Sequence, residues 1–236
     1  MSIDEELDNF IQKNENFFED KKYIYVPYED KKNEGNSLII AMSTHNFGER
    51  YFFLKTLIAN QKCSLLFIKD PLNTYYLEND GGQSYKRLLE PFVKKYGENN
   101  ISFFGSSMAG YAALHFGLYF NTNIIVSNPQ IDFEISYKYA WDDLRKTLDR
   151  VKKNWVDIRT ILDNKALDTI VYYACGDYPM DIENLNYFKK LDAKRFSIYL
   201  NKLEDDKHGF YFKNSENIFR VHENLVLFRN FVKLAP

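Results

Sequence analysis

Ser107 sits in the stretch Ile101-Ser-Phe-Phe-Gly-Ser-Ser-Met-Ala-Gly-Tyr-Ala-Ala-Leu114, the setting of a nucleophilic serine. Four strand formers, Ile101 to Phe104, run straight into Gly105, and beyond Ser107 the pattern turns helical through Ala109, Tyr111, Ala112, Ala113 and Leu114. A nucleophile elbow needs this arrangement, because its serine occupies a strained turn between strand and helix. Small residues two positions before and after the serine let the two backbones approach. Gly105 and Ala109 fill those positions around Ser107, whereas a register centred on Ser106 would put Phe104 at the crowded one. Alanine in place of the second glycine is the one departure from the pattern.

A serine hydroxyl is a weak nucleophile until a histidine takes its proton, and the histidine needs a carboxylate to fix its tautomer. With the serine on a strand-to-helix turn, the chain order is serine, acid, histidine, each partner following a later strand. Thr169–Ala174 reads as such a strand, and Cys175-Gly-Asp-Tyr-Pro-Met-Asp181 is the loop after it. Asp177 stands just past the strand end and is the preferred acid. Asp181 competes, but it reads as the N-cap of a helix from Ile182. The next strand, Phe196–Leu200, leads to His208, immediately before a glycine. His115 falls inside the elbow helix and His222 inside the C-terminal helix, so both read as packed or solvated side chains.

Acyl transfer also requires two N–H groups aimed at the developing oxyanion. Met108, after the nucleophile, supplies one. The other comes from the loop after an early strand, here Ser43-Thr-His-Asn-Phe-Gly48, and His45 and Asn46 are the two candidates. Both also suit a capping role before a helix from Arg50. Asp70, Tyr75 and Tyr76 follow the strand Ser64–Ile68, at the end of the sheet where ligands bind. Tyrosines there would stack on a sugar ring, or pack. Asn128-Pro-Gln130 follows another strand and either lines the same crevice or turns the chain. Cys175 has no base or helix N-terminus to activate it and reads as a core residue.

These residues need a sheet to hold them. Short apolar runs alternate with longer amphipathic segments, the pattern of an α/β protein with a largely parallel sheet. The predicted strands are Tyr23–Val26, Leu38–Met42, Ser64–Ile68, Ile101–Phe104, Asn123–Ser127, Thr169–Ala174 and Phe196–Leu200. Predicted helices cover Arg50–Asn60, Ser84–Tyr96, Met108–Tyr119, Trp141–Lys153, Ile182–Leu191 and Ser215–Val232. On the last, Ile218, Val221, Leu225 and Phe228 form a core-facing stripe. Residues 130–168 carry no clear strand and contain Tyr137, Tyr139, Trp141 and Trp155, as expected of a helical cap inserted into a single domain spanning residues 1–236.

Composition removes other classes. In 236 residues, 31 basic and 33 acidic side chains leave a net charge of −2, with both signs interspersed. No basic field marks a nucleic-acid partner and no polybasic segment a membrane surface. The acidic N-terminus lacks the positive start and apolar run of a signal peptide, and the apolar runs are too short for a transmembrane segment. Cys63 and Cys175 have neither disulfide-framework nor metal spacing, so the reading is a cytoplasmic protein with reduced thiols and no metal.

Three blocks then carry a resemblance: Ser43–Leu57, Phe67-Ile-Lys-Asp-Pro with Tyr75-Tyr-Leu77, and Gly105–Leu114. The chain resembles α/β-hydrolase-fold serine enzymes, and among them bacterial capsule and surface-glycan O-acetyltransferases and the glycan acetyltransferase component of accessory Sec systems. The resemblance covers about half the chain, mainly Ser37 to Asn128. It implies an α/β-hydrolase-like three-layer αβα sandwich with a small helical cap. It further implies acetyl-CoA as acyl donor, a sugar hydroxyl as acceptor, and an acyl-enzyme on Ser107. A carbohydrate esterase with the same triad, in which water rather than a sugar hydroxyl accepts the acyl group, shares every one of the sequence features above. A catalytically silent hydrolase-fold partner in a glycan-assembly or secretion complex is the reading from another class.

Overall fold

The computed structural model describes residues 3–28, 37–162, 167–191, 196–212 and 214–234. Residues 163–166 of the expected insertion lie outside them. Among the described residues, eight strands form one sheet, in the order β1-β2-β4-β3-β5-β6-β7-β8. They are β1 (Glu15–Phe18), β2 (Lys21–Val26), β3 (Leu38–Met42), β4 (Ser64–Ile68), β5 (Ile101–Ser106), β6 (Asn123–Ser127), β7 (Ile170–Cys175) and β8 (Ser197–Lys202). β2 pairs antiparallel with both β1 and β4, and the pairings from β4 through β8 are parallel. β1 was not expected from sequence. Four residues, two of them polar, are too short a run to announce a strand beside the acidic N-terminal segment.

The parallel strands β3, β4, β5 and β6 are buried along their whole length, which explains why they read as continuous apolar runs. Alternate residues feed two cores. Leu38, Ile40, Met42, Leu66 and Ile68 face one side, with Ile39, Ala41, Leu65 and Phe67 on the other. The first face is covered by α3 (Gln83–Tyr96), α4 (Met108–Tyr119), α5 (Phe133–Lys138), α6 (Asp142–Val151), α7 (Arg159–Leu162) and α8 (Pro179–Lys190). The second is covered by α1 (Ile3–Asn14), α2 (Leu54–Ala59) and α9 (Ser215–Leu234). The three-layer αβα sandwich with a mostly parallel sheet is therefore as expected.

Several helices differ from the reading above, α2 and α9 among them. α2 begins four residues later than Arg50, behind Phe53 in the left-handed region and with no side-chain cap, so His45 and Asn46 do not cap it. On α9 the buried stripe is Ile218, Phe219, His222, Leu225 and Arg229, while Phe228 is 47 % exposed and stacks on Tyr199. The buried face is rotated because two polar residues find partners inside. His222 Nδ1 meets Ser102 Oγ at 2.8 Å, and Arg229 donates to Asn99 Oδ1 and to the Asn121 carbonyl. A pattern of apolar residues alone does not register such a face. α5, α6 and α7 all lie between β6 and β7, in the segment expected to form a cap.

Candidate active site

Ser107 stands between β5 and α4 with φ 55° and ψ −119°. An L-residue adopts that conformation only where its surroundings enforce it, at about 1–3 kcal/mol. Here Ser107 donates its N–H to the Ser127 carbonyl, and its own carbonyl accepts from Tyr111 and Gln130. The close approach expected around the turn is present. A Cβ at Gly105 would lie 2.2 Å from the Ala109 carbonyl oxygen, so no other residue fits there. The second tight contact falls one residue further on than the motif suggests, where a Cβ at Gly110 would lie 2.8 Å from the Pro129 Cβ. Ala109 is itself fully buried. Glycine is thus required at 105 and 110, and alanine is accommodated between them.

His208 Nε2 lies 2.9 Å from Ser107 Oγ, and His208 Nδ1 lies 2.6 Å from Asp181 Oδ1. A carboxylate only accepts, so Nδ1 carries the proton and Nε2 presents its lone pair to the serine hydroxyl. The carboxylate that meets His208 is therefore Asp181 and not Asp177. Asp177 points outward, 44 % exposed, in an ion pair with Lys202 at 2.8 Å, and its N–H donates to the Asp205 carbonyl. The cause is where α8 begins. It starts at Pro179, behind Tyr178, so Asp181 is the third helical residue and not a cap before Ile182. From the first turn its side chain reaches inward, with 1 % of it exposed. The signal was in the sequence, because proline favours the first position of a helix.

Burial is the main influence on Asp181 and raises its pKa above the ordinary aspartate value, while the hydrogen bond from His208 pulls it down. Asp181 Oδ2 has no hydrogen-bond partner among the described residues. The carboxyl consequently depends on the His208 Nδ1–H for compensation. The other buried histidines are of a different kind. Burial drives both His115 and His222 down to about 3, so they remain neutral, as the sequence reading of packed side chains had it.

Asn128 was noted only as a turn or crevice residue, yet it ties the two partner loops together. At φ 44° in the left-handed region, its Nδ2 donates to the Gly209 carbonyl at 2.7 Å, and its Oδ1 accepts from the Gly176 N–H at 3.3 Å. One side chain at the end of β6 thereby holds the residue after His208 and the start of the loop leading to Asp181. An asparagine that ends a buried strand and precedes a proline is the sequence signal for it.

Met108 opens α4, so its N–H is one of the helix's free amides, beside the nucleophile. The loop holding His45 and Asn46 is pinned to the elbow by Thr44, whose hydroxyl donates to the Ser106 carbonyl at 2.9 Å. The Asn46 N–H is already engaged by Asn73 Oδ1 at 3.1 Å. His45 Nε2 meets Thr147 Oγ1 at 3.0 Å, and burial lowers its pKa. The expected substrate-binding role of Asp70, Tyr75 and Tyr76 does not agree with their placement. Both tyrosines are fully buried. Tyr75 donates to Gln130 Oε1, and Tyr76 to the Ser43 and Ile68 carbonyls. Asp70 is spent on its own loop, accepting from the Thr74 and Tyr76 N–H groups and the Thr74 hydroxyl, and burial raises its pKa to about 6. Polar atoms on both tyrosines have partners within the protein, so these side chains belong to the core beside β3 and β4. Cys175 is buried and its thiol is pushed up by that burial, which suits a core residue.

Among the described residues no helix is long and apolar enough to cross a membrane, and no cluster of His, Cys, Asp or Glu is placed to hold a metal. No family model and no curated protein matches the sequence. Solved structures do match the fold. A capsule O-acetyltransferase of Neisseria meningitidis serogroup A aligns over 90 % of this chain and 93 % of its own, with TM-score 0.68 and 17 % identity. The same enzyme in complex with CoA aligns with TM-score 0.65 and 17 % identity, over 90 % of this chain and 94 % of its own. An esterase, E25, aligns over 94 % of this chain and 81 % of its own, with TM-score 0.63 and 12 % identity. At such identities the likeness is one of fold, and the fold is that of the α/β hydrolases.

Proposed function

We propose that the chain is a serine-dependent acyltransferase that moves an acetyl group from acetyl-CoA to a hydroxyl of a bacterial capsular or surface glycan. The observation that carries the chemistry is the hydrogen-bonded run Ser107 Oγ, His208 Nε2, His208 Nδ1, Asp181 Oδ1 on a strained elbow. The fold shared with a capsule O-acetyltransferase, one structure of which is a complex with CoA, supports the choice of donor and acceptor. The segment between β6 and β7 acts as the cap in this reading, and the donor places the enzyme in the cytoplasm.

In the first half-reaction Ser107 Oγ attacks the thioester carbonyl as its proton passes to His208 Nε2. Asp181 holds the Nδ1–H and stabilises the imidazolium. The oxyanion is met by the Met108 N–H and by the loop at His45, since the Asn46 N–H is engaged elsewhere. Collapse breaks the carbon–sulfur bond, His208 returns the proton to the leaving thiol, and acetyl-Ser107 remains. A sugar hydroxyl then attacks the ester and gives its proton to His208. Collapse frees Ser107, which takes that proton back, and releases the acetylated sugar.

Incubation with acetyl-CoA should leave an acetyl group on Ser107, seen by intact mass and peptide mapping, and added oligosaccharide should discharge it. A fluorophosphonate should label the same serine. Absence of both adducts in folded protein would leave a silent hydrolase fold in a glycan-assembly or secretion complex, and the fold also matches a Streptococcus agalactiae glycosylation-associated protein complex. That match has TM-score 0.60 and 13 % identity, over 94 % of this chain and 46 % of its own. Discharge to water alone, across a broad acceptor panel, would make the protein a carbohydrate esterase, for which the fold shared with E25 speaks.

A further inference from the structure

We infer that Trp141 is the sugar-binding platform of this site, holding a pyranose ring of the oligosaccharide whose hydroxyl exchanges the acyl group at Ser107. The inference rests on the acyl-transfer reading of Ser107 and His208, in its transferase or its esterase form.

The two tryptophans are used in opposite ways. Trp155 packs among Tyr75, Tyr111 and Phe133, with centroid separations of 5.0, 4.5 and 5.4 Å. Trp141 remains 42 % exposed, a large apolar surface left uncovered among the described residues. Its position is not incidental. The indole centroid lies 6.0 Å from the His208 ring and 6.3 Å from the His45 ring. It therefore bridges the general base and the loop beside the nucleophile. Tyr178, half-buried, approaches His208 at 5.9 Å. The indole is also held in advance of any ligand. It immediately precedes α6, and that helix is fastened to the same loop twice. Thr147 bonds His45 at 3.0 Å, and Asp143 Oδ2 accepts from Asn46 Nδ2 at 2.5 Å.

The reaction's geometry then names the ligand class. An acceptor hydroxyl must come within hydrogen-bond reach of His208 Nε2 to lose its proton, which puts the ring bearing it beside the indole. A pyranose is amphipathic, with a rim of hydroxyls and a face of C–H groups. Laying that face on an exposed indole removes apolar surface from water on both partners and leaves the rim free to react. The acyl donor needs no such platform at this spot, because only its slender thioester end reaches Ser107.

The test uses Ser107→Ala, which cannot turn over, so that binding is read apart from catalysis. Tryptophan emission is followed as linear oligosaccharides of glucose, N-acetylglucosamine and sialic acid, and separately CoA, are titrated in. At least one sugar series should change the emission, and the response should vanish when Trp141→Phe is added. By calorimetry, Trp141→Phe should keep sugar affinity within about threefold, because phenylalanine also offers an aromatic face. Trp141→Ala should weaken it at least about tenfold, equivalent to about 1.4 kcal/mol. In the Ser107 enzyme, Trp141→Ala should raise the KM for the sugar more than the KM for acetyl-CoA. A response to CoA and to no sugar overturns the inference, as does equal sugar affinity in Trp141→Ala. Failure of the acyl-transfer reading shows separately, as Ser107 left unlabelled by fluorophosphonate while sugar titrations still report on Trp141.

Discussion

Two strand-to-helix turns at the same end of the sheet bring Ser107 and Asp181 to His208, as proposed nucleophile and acid, and they do so by different physics. At the β5–α4 turn the reactive residue is the turn itself. Ser107 occupies a backbone conformation foreign to serine, enforced because Gly105 and Gly110 let neighbouring backbone come within contact. At the β7–α8 turn the tightness is similar, since a Cβ at Gly176 would lie 2.1 Å from the Tyr211 hydroxyl and 2.5 Å from the Asp205 carbonyl oxygen. Yet the functional carboxylate is not in that turn. It waits until the third helical residue, where the helix geometry aims Asp181 back at His208. Ser107, although largely buried, keeps an opening at the apex of its turn, whereas Asp181 is shielded almost completely by the first turn of a packed helix.

That contrast is most severely tested by exchanging the two carboxylates' roles. Asp181→Asn should lose about 10⁴-fold in kcat, the cost of the wrong histidine tautomer in a serine protease. Asp177→Asn should stay within about threefold, because it removes only an exposed ion pair with Lys202. Acetyl transfer or ester hydrolysis measured on both variants decides it, and a large loss in Asp177→Asn alone would put the acid back in the turn.

The next effect in size concerns the side chain that joins the loops. Asn128→Asp keeps an acceptor for the Gly176 N–H and tolerates the left-handed backbone, but it faces the Gly209 carbonyl with a second oxygen. The His208 loop should shift, and a displacement of about 1 Å is worth up to about 10²-fold in rate. We expect kcat to fall between about 10- and 100-fold with the KM for the donor little changed. A variant with lowered stability but normal kcat would limit Asn128 to a structural role.

The acid's shielding also has a thermodynamic sign. Because burial raises the Asp181 pKa in the folded protein, the folded state favours the protonated form. Its contribution to stability is therefore greatest below the unfolded value and is lost as pH rises through the folded one. Asp181→Asn, which resembles the neutral acid, should melt with the wild type at low pH and above it at neutral pH. Thermal melts across that range check this, and a gap that widens toward acid would contradict it. The elbow carries no such charge, and its stability should be indifferent to pH at Ser107.

Most of the frame was legible because the parallel strands are apolar throughout and the elbow announces itself through local sequence. β3, β4 and β6 have the predicted bounds, and Ser107 and His208 fall together as their order along the chain suggests. What was not legible depends on contacts distant in sequence or on one residue's choice of helix start. Asp181, the competing acid, reads as the N-cap of a helix from Ile182 until Pro179 is seen to open α8. For Tyr75 and Tyr76 sugar stacking and packing stay open in the sequence, because a position after β4 does not separate a ligand loop from a core until the carbonyls of Ser43 and Ile68 and the amide of Gln130 are seen to take their hydroxyls. Phe228 and Arg229 exchanged expected places because the guanidinium found the Asn99 and Asn121 oxygens inside the protein.

The smallest effect isolates the strain of the elbow from its chemistry. Ser107→Ala removes the hydroxyl and keeps the Cβ, so it should be inactive with a nearly unchanged Tm. Ser107→Gly removes both, and glycine adopts positive φ freely. Relief of backbone strain is worth about 1–3 kcal/mol, against which the greater unfolded-state freedom of glycine subtracts about 0.5–1 kcal/mol. The balance favours the glycine variant by up to about 2 kcal/mol, and for a chain of this size each kcal/mol moves Tm by about 2–4 °C. Melts of the three proteins in one buffer, without ligand, should therefore place Ser107→Gly level with or a few degrees above the other two. A fall of several degrees in the glycine variant would mean that the Ser107 Cβ contributes more by packing than it costs by strain. The β5–α4 turn would then be held as the β7–α8 turn is, by its contacts alone.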